Sequence, residues 1–232
     1  MTQWPSVGRL DAWLPVAGSA AFVEAPAEAV ARAWCAWSQE LRAPLEVSRD
    51  PRGFPEVLTA LEPIDGTRDI VVGGGAWSVV FRGAAGADLE SLAGGLGHRL
   101  GCRAVFAHAL PNLYGAAEGY NTRLALFAPR EGDSFVRSIS VGRAESWSFA
   151  AEGEPQPWEE PARYRAPRAA DRFPPALLHR YLDAIGIPPL DAPVWGPGAI
   201  VAIRRAASKR DGGVSALAPT IAALHERMYG DL

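Results

Sequence analysis

Lysine is nearly missing from this chain of 232 residues: Lys209 stands alone among 23 basic residues, and the rest are arginine. With alanine, glycine and proline so frequent, that arginine excess follows the codon usage of a GC-rich bacterial genome and does not by itself point to phosphate recognition. Cysteine is scarce as well. Cys35 and Cys102 are the only two, both inside apolar patterns, so buried thiols in a reducing compartment are expected rather than a disulfide. No apolar run approaches the roughly 18–20 residues that span a bilayer. The opening MTQWPSVGRLDAW lacks a basic flank followed by a long apolar segment. Neither a membrane partner nor a secretory signal is expected, and the cytoplasm is the expected location.

Chemical motifs are missing too. The histidines (His98, His108, His179 and His225) and the two cysteines make no C-x-x-C and no H-x-x-x-H, the spacings from which zinc sites are built. His98 reads as a cation at a helix C-terminus and His108 as a hydrogen-bonded strand residue. No metal and no cofactor is expected. G-x-S-x-G is absent, so no nucleophile elbow presents a serine, and the strand alternation around Cys102 turns that thiol toward the core, where it is inert. Gly73, Gly74 and Gly75 lack a following G-K-[ST] and the G-x-G-x-x-G spacing of a dinucleotide site, and read as a hairpin turn. A net charge of −3 leaves no electrostatic footprint for nucleic acid. The one basic patch, Ile203 to Gly213 with Arg204, Arg205, Lys209 and Arg210, carries no interleaved aromatics and reads as a solvated loop.

What the chain does contain is alternation. Ala20–Glu24 reads as a strand leading into a helix over Pro26–Arg42, where Val30, Trp34, Trp37 and Leu41 form one apolar stripe. PLEVS follows as a strand, Glu56–Leu61 as a short helix, and Asp69–Val72 with Trp77–Arg82 as a hairpin. A central helix starts at Asp88 as N-cap, carries the stripe Leu89, Leu92, Leu96 and Leu100, and ends at Gly101 in a left-handed cap. Gly94, Gly95 and Gly97 inside it each cost up to about 1 kcal/mol relative to alanine, which implies close packing against a sheet. Strands are expected at CRAVFAHAL, Asn121–Phe127, Phe135–Val141, Ser146–Ala151 and Ala199–Ile203. Further helices are expected at Pro174–Ile185, closed by Gly186 with Ile187 behind the cap, and at Val214–Met228.

Charge is uneven along this pattern. Between Ala144 and Ala162 lie Glu145, Glu152, Glu154, Glu159 and Glu160 with no basic residue. Between Arg163 and Arg180 lie five arginines against Asp171 alone. Neighbouring solvated surfaces that pair with each other would give this pattern; so would an acidic face that docks a basic partner, with Trp158 as a hot-spot anchor. A different grouping, His98, Arg99 and Arg172, would line a cleft in which arginine holds an anionic group.

Two segments carry a resemblance. WSVVFRG followed by a helix ending in HRLGCR is the first. The second is W-x-F-x-x-x-G-x-x-x-P, from Trp147 and Phe149 through Gly153 to Pro157, continuing into W-E, DRF and LLHRYLDAIGI. Over roughly residues 75–190 the chain resembles a widespread family of uncharacterised bacterial proteins, common in actinobacteria, which has phenylalanine where Trp158 stands and a more polar turn than GAAGAD. The resemblance implies no activity and supplies no catalytic residue. Its recurring aromatics, glycines and prolines suit a scaffold.

The expected fold is α+β: one domain over 1–232 with a mainly antiparallel sheet and helices packed on one face. Its core spans about 20–165, with a C-terminal helical appendage over about 170–232. The expected function is a non-enzymatic protein-binding module of the immunity type, occluding a basic toxin domain with Glu145, Glu152, Glu154, Trp158, Glu159 and Glu160. Two alternatives stand beside it: an enzyme or small-molecule binder with the cleft of His98, Arg99 and Arg172, and a subunit of a larger assembly. A deep cavity lined by those three residues favours the cleft; a flat acidic face favours the binder.

Overall fold

The nine strand segments read above condense into a single antiparallel sheet in the computed structural model, which describes residues 16–83, 88–111, 120–130, 134–143, 145–204 and 219–229. Its nine strands are β1 (Ser19–Val23), β2 (Leu45–Asp50), β3 (Arg68–Gly74), β4 (Trp77–Arg82), β5 (Ala104–Pro111), β6 (Tyr120–Phe127), β7 (Phe135–Arg143), β8 (Trp147–Gly153) and β9 (Ala199–Arg204), in the order β2-β9-β3-β4-β1-β5-β6-β7-β8. The fold is α+β with an open, antiparallel sheet.

Both faces of this sheet are apolar, so each requires a cover. Helices α1 (Ala27–Glu40) and α2 (Leu89–Leu100) lie together on one face. Val30 and Trp34 of α1 and Leu89, Leu92 and Leu96 of α2 bury against Val71, Val80, Phe106 and Ile200. The C-terminal part supplies the other cover. Phe173 and helix α3 (Pro175–Ile185), through Leu177, Leu178 and Tyr181, bury with Phe22, Val105, Leu124 and Ile139. A 3-10 turn over Glu56–Leu61 and helix α4 (Ile221–Tyr229) join the same core. The C-terminal part is also fastened into the sheet itself, because β9 pairs with β2 on one side and β3 on the other.

Local signals act as expected in α2. The Asp88 carboxylate accepts the Ser91 amide proton at 2.9 Å, and Gly101 closes the helix at φ 61°. The interior glycines serve close approach: a Cβ on Gly97 would stand 2.9 Å from the Ala104 Cβ of β5, and one on Gly95 would enter the Trp37 ring of α1. At the end of α3, Gly186 adopts φ 92° and the Ile187 amide donates to the Leu182 carbonyl at 2.9 Å, with Ile187 buried behind it. Of the C-terminal helix expected from Val214, residues 214–218 lie outside the described residues, as do Arg205, Lys209 and Arg210 of the basic loop.

Candidate functional site

Alternation in FVRSISV puts Arg137 on the same face of β7 as Ile139 and Val141, the face that meets the α3 core. Its side chain is 3% exposed, and a guanidinium there requires a full set of acceptors. Glu159 provides two of them. Arg137 Nε donates to Glu159 Oε1 at 2.8 Å and Nη2 to Oε2 at 2.7 Å, while Nη1 donates to the carbonyls of Gly153 at 2.6 Å and Glu152 at 3.2 Å. Burial alone would push the Arg137 guanidinium down, but the hydrogen bonds and charge of Glu159, with Tyr164 behind them, carry it above its ordinary value.

Two further donors complete the Glu159 carboxylate: the Gln156 amide at 2.8 Å and the Tyr164 hydroxyl at 2.7 Å. The Tyr164 proton is thereby committed, so the 3.1 Å contact between Tyr164 and Tyr181 is a donation from Tyr181. Tyr181 in turn accepts the Glu160 amide at 2.8 Å. Burial first, then these hydrogen bonds, push the Tyr164 phenol up, out of reach of any physiological titration.

This chain of hydrogen bonds pins the proline-punctuated segment 154–165 beneath β7 and onto α3. It also revises the acidic group expected from sequence. Glu159 is enclosed and ion-paired, because Arg137 on the apolar face of β7 demands a partner; its carboxylate is not part of an exposed surface. Trp158 is half-buried, edge-on to Tyr181 with ring centroids 5.1 Å apart. Glu160 is exposed but is engaged by Arg180 at 2.8 Å and Arg163 at 3.5 Å. Hydrogen bonds from Arg180 and then Arg163 hold its carboxyl below the usual range. The acidic and basic runs therefore do pair with each other at this point. Glu145, Glu152 and Glu154 remain: all three are exposed, and their side chains enter none of the ion pairs found among the described residues.

Those three carboxylates frame β8. It is seven residues long and, among the described residues, stands last in the sheet, paired with β7 alone. Trp147 and Phe149 turn toward the core and are half-buried, with Phe149 tilted against Tyr164 at 5.2 Å. Ser148, Ala150 and Glu152 alternate outward and are exposed. The opposite edge differs in charge. On β2, Arg49 is paired with Glu28, and Asp50 with Arg52.

The alternative cleft does not form. His98 and Arg99 end α2 on one face of the sheet, where Arg99 donates to Glu40 at 3.0 and 2.5 Å and lies over Trp37. Arg172 belongs to the other face, donating to the Ala166 carbonyl at 2.9 Å with its guanidinium 5.7 Å from the Phe149 ring centroid. The sheet separates the two arginines, and each of the two is engaged locally, while His98 is exposed.

Three further buried or half-buried groups show how polar atoms are accommodated elsewhere, while the buried Thr122 hydroxyl has no hydrogen-bond partner among the described residues. Asp69 of β3 is fully buried, taking Arg82 Nε at 2.6 Å and Trp34 Nε1 at 2.9 Å. His108 shares a hydrogen bond with the Ser19 hydroxyl at 2.8 Å, and burial first, then the Arg123 charge, pushes its imidazole down to about 4. Burial raises the thiols of Cys35 and Cys102, which are half-buried and free. Among the described residues no helix is long and apolar enough to cross a membrane, and no three His, Cys, Asp or Glu side chains are grouped to hold a metal ion. In comparisons with known proteins, no family model, no curated protein and no solved structure matches the chain.

Proposed function

We propose that this protein is a non-enzymatic binding module that docks a basic protein partner along the β8 edge, with an immunity-type role in which a bacterial toxin domain is occluded. The observation that carries this reading is the combination at β8: an edge strand with one side unpaired in the sheet order, framed by the exposed Glu145, Glu152 and Glu154. A free strand edge offers a row of backbone donors and acceptors to an extended segment of another chain, and side chains on alternate positions set the preference. Carboxylates at such an edge favour a partner rich in lysine and arginine and speed its approach. The buried network behind the strand supports the same reading, since Arg137 ties the backbone of Glu152 and Gly153 to Glu159 and so holds the edge in shape before any partner arrives. The polar groups best placed for chemistry, Asp69 with Arg82, Arg137 with Glu159 and His108 with Ser19, are all engaged in holding the fold.

The test compares the tagged protein with a variant carrying Glu145→Lys, Glu152→Lys and Glu154→Lys in affinity capture from the source lysate, each eluate being analysed by mass spectrometry. A basic protein retained in one-to-one amount by the natural chain and lost from the variant is the expected result, with the two melting temperatures within about 2 °C because the changes are at exposed sites. Glu159 is left unchanged in this variant, since its loss would unfold the region. Equal capture by both, or no capture by either, contradicts the reading.

A further inference from the structure

On the α3 face of the sheet, β1 and β5 meet through alanine. Ala20 stands opposite Ala107, with Ala17 and Ala109 beside them. Elsewhere the same layer is filled by Phe22, Val105, Leu124 and Ile139, all buried to within about one per cent. Four methyl groups cannot reach the covering helix, and a cavity of about 360 Å³ is left between this floor and the C-terminal half of α3 with the loop after it. Leu178, Leu182 and Ile187 form its apolar walls. The volume lies at the lower end of the range typical of small-molecule sites. An unfilled apolar space of this kind destabilises the fold in proportion to its size, and an occupant of matching shape restores the lost contacts.

The polar groups at this cavity come from one side only. His179 and Asp183 of α3 and Asp191 of the following loop stand at its mouth. His108 contributes backbone, because strand alternation places its ring on the other face with Phe106 and Ser19, at 6.2 Å from the Phe106 ring and 2.8 Å from the Ser19 hydroxyl. Among the described residues no arginine or lysine lines the space. Asp183 and Asp191 are exposed and enter none of the ion pairs among the described residues. Burial lowers the proton affinity of His179, and the Asp191 charge opposes that effect. Two carboxylates thus dominate the mouth of an apolar hollow. The three groups are not arranged to hold a metal ion.

We infer that this cavity binds a small organic cation: an apolar body seated on the alanine floor, with an ammonium or amidinium group held at the mouth by Asp183 and Asp191. The site is separate from the β8 edge, and neither depends on the other. It accepts a primary ammonium in preference to a carboxylate of the same shape, since the mouth repels an anion and leaves it desolvated without a partner.

Isothermal titration calorimetry with phenethylamine and with 3-phenylpropanoate tests this on the full chain. The amine is expected to bind saturably and to raise the melting temperature, at least tenfold more tightly than the carboxylate. Asp183→Asn with Asp191→Asn, two changes at exposed positions, is expected to weaken the amine about tenfold while the unliganded melting temperature stays within about 2 °C. Ala107→Leu, which fills the floor, is expected to abolish binding of the amine. No saturable binding of phenethylamine, equal binding of the carboxylate, or undiminished binding by the asparagine variant would each overturn the inference.

Discussion

Arg137 and Glu159 illustrate how single residues decide what this surface is. Their ion pair is the most enclosed charge pair described, with side chains 3% and 0% exposed, and removing one partner leaves a charge buried without compensation. Glu159→Ala is therefore expected to lower stability by about 3–5 kcal/mol, while a change of similar size at exposed Glu154 stays within about 0.5 kcal/mol. Urea denaturation of the two variants checks the contrast, and equal midpoints would refute it. His108 gives a pH signature of definite sign. Its folded-state value of about 4 lies below the ordinary imidazole value of 6.5, so the unfolded chain takes up a proton that the folded chain refuses. The contribution is fully present above about pH 6.5 and is lost as pH falls through about 4, amounting to about 3 kcal/mol. Stability measured from pH 7 to pH 4 should fall more steeply for the natural chain than for His108→Gln. Parallel curves would show that His108 is not the group responsible.

Among the elements, α2 was the most legible in the sequence, because its cap residues and leucine stripe are local signals. Its glycines make a prediction opposite to helix propensity. Alanine at an unconstrained helical glycine stabilises by about 1 kcal/mol, but at Gly97 the added Cβ meets Ala104 and the Cys102 carbonyl at 2.9 and 3.2 Å. Gly97→Ala should thus lower the melting temperature, and a rise would show that α2 is free to move away from β5. The hairpin of β3 and β4 encodes its own ion pair. A two-residue turn at Gly75 and Ala76 sets Asp69 directly opposite Arg82, so their pairing follows from register alone. Likewise Arg137 falls in step with Ile139 and Val141 in FVRSISV, which marks it as buried and in want of a carboxylate. Which glutamate answers it is not legible, because a run of charge along the chain carries no information on position in space, and Glu159 is selected by the fold of segment 154–165. The insertion of β9 between β2 and β3 and the opposition of Arg99 and Arg172 across the sheet are long-range facts that no local pattern encodes.

At the scale of the whole molecule, the sheet has two open ends of different character. At β2 the charges Arg49 and Asp50 are matched by Glu28 and Arg52 within the chain, whereas at β8 Glu145, Glu152 and Glu154 are left to solvent. Between these ends both faces are covered, one by α1 and α2 and the other by α3 and α4, so among the described residues β8 is where backbone and unmatched charge are exposed together. An edge held rigid by a buried network and bordered by carboxylates is suited to recognition of a basic extended segment. The most direct test is amide hydrogen exchange over residues 147–153 in the isolated protein and in its one-to-one complex with the captured basic partner. Docking along β8 predicts exchange slowed at least tenfold across that strand on binding, with α1 and β2 unchanged. Unaltered exchange in β8 within a stable complex would contradict it and place the interface elsewhere.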